Sequence, residues 1–251
     1  MGEEFLIRKD HGDGVAGIVL NRAPVNALSP GFLAEFGTMI DELTADDSVG
    51  SILISSDFKV LSAGLDLKEA QGFDLAAQKA IVEALNRDFL KLFACPKPVV
   101  TAVAGAAIAG GLFFVLGADL RVAGPRAAFG LAEVRVGADL PVGPMEIAMA
   151  TLDQNTARQL LLTGQPINAE QAHARGIVDV LVPKGEDVLT RAVAEARILG
   201  QLPSLAYASI KHNLRGPTIA RIEAAMKQGA IGSESGWFNA QTKAAMQRML
   251  G

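Results

Sequence analysis

Apolar residues recur in two registers along this chain, one of strands and one of helices. Phe5–Arg8 and Val15–Leu20 read as strands around His11-Gly-Asp-Gly14, a turn sequence that predicts a hairpin. Ser29 is a good helix N-cap and Pro30 suits the first helical position. Phe32, Phe36, Ile40 and Leu43 then fall on one helical face. Val49–Ser55 predicts a buried strand, and Leu61–Leu67 a glycine-containing turn. Leu75–Phe93 predicts a long helix with Ile81, Leu85, Phe89 and Leu92 in one stripe. Asp119–Ala123 follows as a short strand. This alternation through residue 125 or so predicts an α/β core. Beyond residue 144 the pattern is mostly helical: Ala157–Leu162, Ala169–Arg175, Val188–Leu199, Pro203–Asn213 and two helices from Pro217 to the end, with one late strand at Ile177–Val182. Ile219, Ile222 and Met226, and then Met246, Met249 and Leu250, sit at helical spacing and read as packing surface.

The longest uncharged stretch, Pro98 to Ala118, is 21 residues, about the length of a bilayer span. Pro98 and the Gly110–Gly111 pair punctuate it, its first segment is β-branched and its last is Leu/Phe-rich. It therefore reads as a buried strand, a small-residue turn and a buried helix, because buried parallel strands are continuously apolar.

Composition narrows the class. The chain has 251 residues, 50% hydrophobic and 20% charged, with a net charge of −4. Mean hydropathy is +0.29. That apolar content excludes intrinsic disorder. The single cysteine, Cys95, excludes a disulfide framework and reads as a buried thiol. A mildly acidic balance without a Lys/Arg cluster argues against nucleic acid as a partner. The N-terminal MGEEFLIRKD has no apolar signal region, which predicts a cytoplasmic protein.

Gly12-Asp-Gly14-Val-Ala-Gly17 matches a dinucleotide fingerprint by letter, but the β-like Val15–Leu20 follows it where a helix is required. His11, His173 and His212 are far apart in sequence, and no metal motif is present. What remains is backbone chemistry and carboxylates. Ser62-Ala-Gly-Leu-Asp-Leu67 and Ala107-Ile-Ala-Gly-Gly111 each lie between a strand and a helix. Such turns can expose free N–H groups, and two that converge would form an oxyanion hole. Alternatively, their glycines serve only tight turns and close packing. Glu133, in Phe129-Gly-Leu-Ala-Glu-Val134, sits among small and apolar residues. Desolvation there would raise its pKa toward that of a general base; an ordinary solvated glutamate, paired with Arg135, is the alternative.

Taken in order, Leu20-Asn-Arg-Ala-Pro-Val-Asn-Ala-Leu-Ser29, Ser62-Ala-Gly-Leu-Asp-Leu67, Pro98-Val-Val-Thr-Ala-Val-Ala-Gly105 with Ala109-Gly-Gly111, and Phe129-Gly-Leu-Ala-Glu133 resemble the crotonase superfamily, the enoyl-CoA hydratase/isomerase family. The likeness continues through Ala157-Arg-Gln-Leu-Leu-Leu-Thr-Gly164, Ala169-Glu-Gln-Ala-His-Ala-Arg-Gly-Ile-Val-Asp179 and Val182-Pro183. The resemblance implies an α/β fold, a crotonase-like spiral of ββα units (residues 1–195) with a helical C-terminal trimerisation region (residues 196–251). It implies an acyl-CoA thioester as substrate, no separate cofactor or metal, and a homotrimer or dimer of trimers. By position, the backbone N–H groups of Leu65 and Gly110 would hold the thioester oxygen. Val25, Ala27 and Leu28 would pack on the pantetheine and adenine, and Ala63, Asp66 and Leu67 would contact the adenine.

The acids divide the family. Hydratases of this type carry two glutamates; here the first of those positions is Phe113, and the second matches Glu133. An apolar Phe113 cannot orient a water and would help to exclude it. The pattern is most similar to the mitochondrial-type Δ3,Δ2-enoyl-CoA isomerases, which implies that Glu133 moves a 3-enoyl double bond to the 2-position. Another crotonase reaction (hydration, decarboxylation or C–C hydrolysis) and a catalytically silent acyl-CoA-binding protein are the alternatives. Asp139 and Glu146 are nearby carboxylates without a clear family role, and Lys243 is a weak candidate for phosphate binding.

Overall fold

In the computed structural model of this chain, residues 5–229 and 237–250 are described. The hairpin forms as expected: β1 (Leu6–Asp10) pairs antiparallel with β2 (Val15–Leu20) across a turn in which Gly12, Asp13 and Gly14 all take positive φ. The dinucleotide-like letters thus belong to a hairpin. Ser29 caps α1 (Pro30–Ala45), its Oγ accepting the Phe32 N–H at 3.2 Å. Next come β3 (Ser51–Ser56), a single helical turn α2 (Leu67–Ala70), the long α3 (Leu75–Ala94), β4 (Val99–Val103) and the short β5 (Ala106–Ile108). After a 3-10 turn at Ala109–Leu112 stand α4 (Phe113–Leu116), β6 (Leu120–Ala123) and β7 (Ala128–Gly130). A second 3-10 turn, Glu133–Val136, leads to α5 (Val142–Thr151), α6 (Gln154–Thr163), β8 (Ile167–Asn168), α7 (Ala169–Ala174) and β9 (Val180–Leu181). Helices α8 (Val188–Gly200), α9 (Ser204–Lys227) and α10 (Thr242–Leu250) complete the chain.

The main sheet runs β1-β2-β3-β4-β6-β9, parallel from β2 onward, and a small sheet runs β5-β7-β8. Successive side chains of a strand point to opposite faces, and both faces here are covered, so strands such as Val15–Leu20 are buried throughout. On one face Leu53, Val100 and Val122 pack against Val188, Ala192 and Ala196 of α8. On the other, Ile52, Ile54, Val99 and Val103 join Phe32, Phe36, Phe89 and Phe114. The Phe114 ring lies 4.9 Å from Phe36 and 5.2 Å from Phe89, both edge-on. The uncharged stretch is therefore β4, β5, a turn and α4, and among the described residues no helix is long and apolar enough to cross a membrane. The expected boundary between residues 195 and 196 falls inside α8.

One helix was not expected, and one expectation needs correction. Helix α5 has no side-chain cap, and its apolar residues are spread around the axis, so periodicity does not reveal it; it forms because it is packed among α3, α4, α6 and α9. The break expected between Asn213 and Pro217 does not occur: α9 runs through Pro217. An interior proline costs roughly 3 kcal/mol, and anchoring of the turns just before it, with Ile222 buried beyond it, offsets that. Lys211 Nζ donates to Asp119 Oδ2 at 2.6 Å and to the Lys97 carbonyl at 2.9 Å. Arg215 pairs with Asp119 Oδ1 at 2.8 Å and donates to the carbonyls of Phe93, Gly117 and Ala118, while its guanidinium lies 4.4 Å from the Phe93 ring centroid. Asp119 also accepts the Val99 N–H at 2.8 Å. This knot fastens the C-terminal helices to the start of β4 and the ends of α3 and α4.

Removing one partner of a buried ion cluster leaves uncompensated charge, at about 3–5 kcal/mol. Asp119→Ala is therefore expected to lower the unfolding free energy by about that much in urea titrations; a loss below about 1 kcal/mol would show that the knot is not the anchor.

Candidate active site

The site begins with backbone pairing. Asn26, fully buried at φ +49°, is used at every polar group: its side chain accepts the Arg22 N–H and donates to Ser56 Oγ and the Leu61 carbonyl, its N–H donates to the Arg22 carbonyl, and its own carbonyl accepts Ser62 Oγ–H. The loop around residues 22–28 is thereby clamped to the loop at 61–66. Leu28 then bridges Leu65 in the parallel sense: the Leu28 N–H donates to the Gly64 carbonyl at 2.7 Å, and the Asp66 N–H to the Leu28 carbonyl at 3.1 Å. In such a bridge the N–H of Leu65 itself points away, and it has no acceptor in the described chain. The Asp66 side chain caps α2 through the N–H groups of Lys68 and Glu69 and pairs with Arg22 at 3.3 Å.

The second turn docks on the first. Ser62 bridges Ala107, with Ile108 N–H donating to the Ser62 carbonyl at 3.0 Å. Gly110 is the second residue of the 3-10 turn, ahead of the first intrahelical bond, so its N–H is also left over. Ala109 holds φ +52°, a strained conformation for a residue with a Cβ. Gly64 has φ +83°, and a Cβ there would lie 2.8 Å from Ala109 Cβ and 3.2 Å from the Gly110 nitrogen. The two turns touch, and only glycine fits between them.

Glu133 is delivered by the small sheet. β5 and β7 pair in parallel with Ile108 opposite Gly130, so the segments that leave them, to Gly110 and to Glu133, emerge side by side. The Glu133 side chain is buried, only 9% exposed, and Oε2 has no hydrogen-bond partner. Burial raises its carboxyl pKa from 4.5 to about 7. Arg135, considered above as an ion-pair partner, makes no salt bridge with it among the described residues.

Leu28, Ala63, Leu65, Leu67, Gly110, Phe113 and Glu133 line one apolar cavity of about 720 Å³, counted to its open mouth. Val25, Ala27 and Asp66 are not among the described residues that line it; the Val25 carbonyl accepts the Ala63 N–H at 3.0 Å. Phe113 is 1% exposed, its ring 5.5 Å from Phe89. Among the described residues lining the cavity Glu133 is the only titratable one. Asp139 lies outside it, exposed, its carboxylate accepting the Leu140 N–H, and Glu146 pairs with Arg221 at 2.7 Å. Lys243 is exposed on α10, away from the cavity lining. No group of three His, Cys, Asp or Glu among the described residues is placed to hold a metal.

The chain's model-family match decides what this arrangement belongs to: the enoyl-CoA hydratase/isomerase family matches residues 10–248. The chain is a member of that family. A probable mitochondrial enoyl-CoA hydratase of Dictyostelium discoideum is 31% identical over 215 residues, covering 83% of this chain and 75% of the relative. A probable enoyl-CoA hydratase of Mycobacterium bovis is 32% identical over 209 residues, covering 81% and 78%. Among solved structures, human mitochondrial Δ3,Δ2-enoyl-CoA isomerase superposes with a TM-score of 0.88 at 28% identity, covering 98% of this chain and 97% of that one. One Mycobacterium tuberculosis protein is described as a probable enoyl-CoA hydratase in one structure (TM-score 0.83, 29% identity, coverage 90% and 95%) and as an enoyl-CoA isomerase in another (TM-score 0.80, 28% identity, coverage 91% and 99%). The crotonase fold expected from the sequence is thus shown, with its parallel sheet and C-terminal helices.

Several lining residues of this crotonase cavity escape sequence reading. Trp237, Met246 and Met249 come from the C-terminal strap, and Leu140, Pro141 and Pro144 from the entry to α5. The strap is held by Trp237 Nε1–H to the Asp139 carbonyl at 2.9 Å, an Ala138–Phe238 bridge, and Thr242 Oγ to the Gly137 carbonyl at 2.6 Å. The methionine spacing was the available signal, and packing surface was an incomplete reading of it.

A carboxyl with a raised native pKa destabilises the fold once it ionises. For Glu133 the penalty is absent below pH 4.5, grows between pH 4.5 and about 7, and stays constant above. At about 1.4 kcal/mol per pKa unit it is on the order of 3 kcal/mol. Glu133→Gln is thus expected to be more stable than the parent at pH 8 and to lose that advantage toward pH 4.5, measured by urea unfolding at both pH values. An advantage independent of pH would refute the desolvated-carboxylate assignment.

Proposed function

We propose that this family member is an enoyl-CoA isomerase that shifts the double bond of a 3-enoyl-CoA to the 2-position. The observation that carries the reading is a cavity in which, among the described lining residues, the single titratable side chain is a desolvated carboxylate; Phe113 stands where the resemblance implies a second acid in hydratases. The thioester oxygen would accept hydrogen bonds from the Leu65 and Gly110 N–H groups. Glu133 removes a proton from C2; the electron pair moves into the thioester carbonyl as an enolate, which the two donors stabilise. The protonated Glu133 then returns the proton at C4 as the C3–C4 double bond becomes C2–C3. Every atom is accounted for with one base and no added water or cofactor. The coenzyme A moiety would lie along Val25, Ala27, Leu28, Ala63, Asp66 and Leu67.

Hydration of 2-enoyl-CoA is the second reading, favoured by the hydratase names of the curated relatives. It needs a group to orient water, and Phe113 offers none. Purified protein is expected to isomerise 3-enoyl-CoA with little hydration of 2-enoyl-CoA, scored together by product chromatography over a panel of chain lengths; efficient hydration overturns the isomerase reading. Glu133→Gln should lower isomerisation by about 10²–10⁴-fold, and the parent rate should rise with pH through about 7 as the base ionises. Near-parental turnover by the variant would remove Glu133 from the mechanism.

The same reading includes a homotrimer. Leu205, Ile210 and Leu214 on α9 are 87%, 67% and 78% exposed, and Leu162 and Met149 are also exposed. Apolar surface of this kind marks an interface. Light scattering should give three copies per particle or a multiple of three, and a monomeric mass would sink this part of the proposal.

A further inference from the structure

One buried serine joins the two turns that carry Leu65 and Gly110. Ser62 is fully buried at the start of the first turn. Its backbone bridges the second: the Ile108 N–H donates to the Ser62 carbonyl at 3.0 Å, and the Ser62 N–H to the Ala106 carbonyl at 3.3 Å. Its hydroxyl binds in two other directions. Oγ–H donates to the Asn26 carbonyl at 2.7 Å, and Oγ accepts the Gly64 N–H at 3.2 Å. A hydroxyl has one proton and two lone pairs, so its proton is committed to Asn26 and its lone pairs are left for Gly64.

Ser62 thus holds the chain neighbour of each donor. Gly64 precedes Leu65, and its carbonyl accepts the Leu28 N–H at 2.7 Å. In a trans peptide the next residue's N–H points opposite to that carbonyl. The orientation of the Gly64–Leu65 peptide therefore sets the aim of the Leu65 N–H, and Ser62 Oγ fixes the N–H on the other side of Gly64. Gly111 follows Gly110 and lies directly on Ser62: a Cβ there would stand 2.5 Å from the Ser62 carbonyl oxygen and 2.8 Å from Ser62 Cβ. Where the turn rests on Ser62 thus decides where the Gly110 N–H stands.

We propose that Ser62 is a positioning residue whose hydroxyl fixes the separation and aim of the Leu65 and Gly110 N–H groups. The proposal rests on the reading that those two groups hold a thioester oxygen. Ser62 acts through Gly64 and Asn26 and is not among the residues that line the cavity. An alanine in its place would leave the Asn26 carbonyl and the Gly64 N–H without this partner inside the protein. The first turn would then shift to pair them elsewhere, and donors that were preorganised would no longer be.

Infrared difference spectra of a bound saturated acyl-CoA, labelled with carbon-13 at the thioester carbonyl, test this without turnover. Two well-aimed N–H donors should lower the carbonyl stretch of the ligand on the parent protein below its value in water. In Ser62→Ala the band should move back toward that value at saturation, with the Kd for the ligand changed by less than about threefold. Isomerisation by the same variant should lose about 10–100-fold in kcat with KM nearly unchanged. Ser51→Ala is the control. It removes an equally buried hydroxyl, which donates to the Ala196 carbonyl at 2.8 Å at the start of β3, and should keep the parent band and kcat. Ser62→Cys keeps a weaker donor in place, should give an intermediate band, and serves if the alanine variant does not fold. A parent-like band in the Ser62 variants, or an equal change in Ser51→Ala, overturns the positioning role. A parent band no lower than in water removes the oxyanion-hole reading itself, and the proposal with it.

Discussion

Buried backbone must pair, and that constraint organises the catalytic end of this molecule. The loops leaving β2, β3 and β4 are buried against each other, so their N–H and C=O groups are joined through two short parallel bridges, Leu28 to Leu65 and Ser62 to Ala107. A parallel bridge uses the groups that flank a residue on one side and leaves that residue's own N–H on the other. The N–H of Leu65 is left over for this reason, and that of Gly110 because it stands ahead of the first bond of a helical turn. Under the proposed mechanism, donors held this way would need no rearrangement as charge develops in front of them. The strain at Ala109 is retained because its neighbours over-determine the turn.

The carboxylate obeys the opposite rule. Glu133 is buried without a partner for Oε2, which a stability criterion alone would disfavour. Its raised pKa and its destabilising charge have one cause, the apolar wall made by Phe113, Leu140, Trp237 and Met246. Phe113 and Phe114 divide the work of one short helix: Phe114 packs edge-on against Phe36 in the core, and Phe113 leans on Phe89 and lines the cavity. The C-terminal strap completes this wall.

Local signals were legible where a single element or turn decides the outcome. The Asp-Gly hairpin, the Ser29 cap, the α3 stripe and the two glycine turns are of this kind, and the ordered set of motifs carried the family. Helix α5 was hidden because its apolar residues are spread around the axis without a stripe, and the continuity of α9 through Pro217 because the anchors that hold it, Lys211 and Arg215, find their partner about a hundred residues earlier. The methionines of α10 could be read as packing, but not as walls of a cavity, because that requires knowing what they pack against.

The sequence by itself determined the elements, the presence of two small-residue turns and one candidate base, and the absence of an acid at position 113. These depend on residue type and near-neighbour spacing. Only the tertiary structure decided that the turns touch, that Glu133 emerges beside Gly110, that Asp139 and Glu146 stand outside the cavity, and that Arg121 is buried with its Nε unpartnered. Each of those outcomes depends on which long-range strand pairings form and on what burial removes from water, and neither quantity is a property of a local stretch of chain.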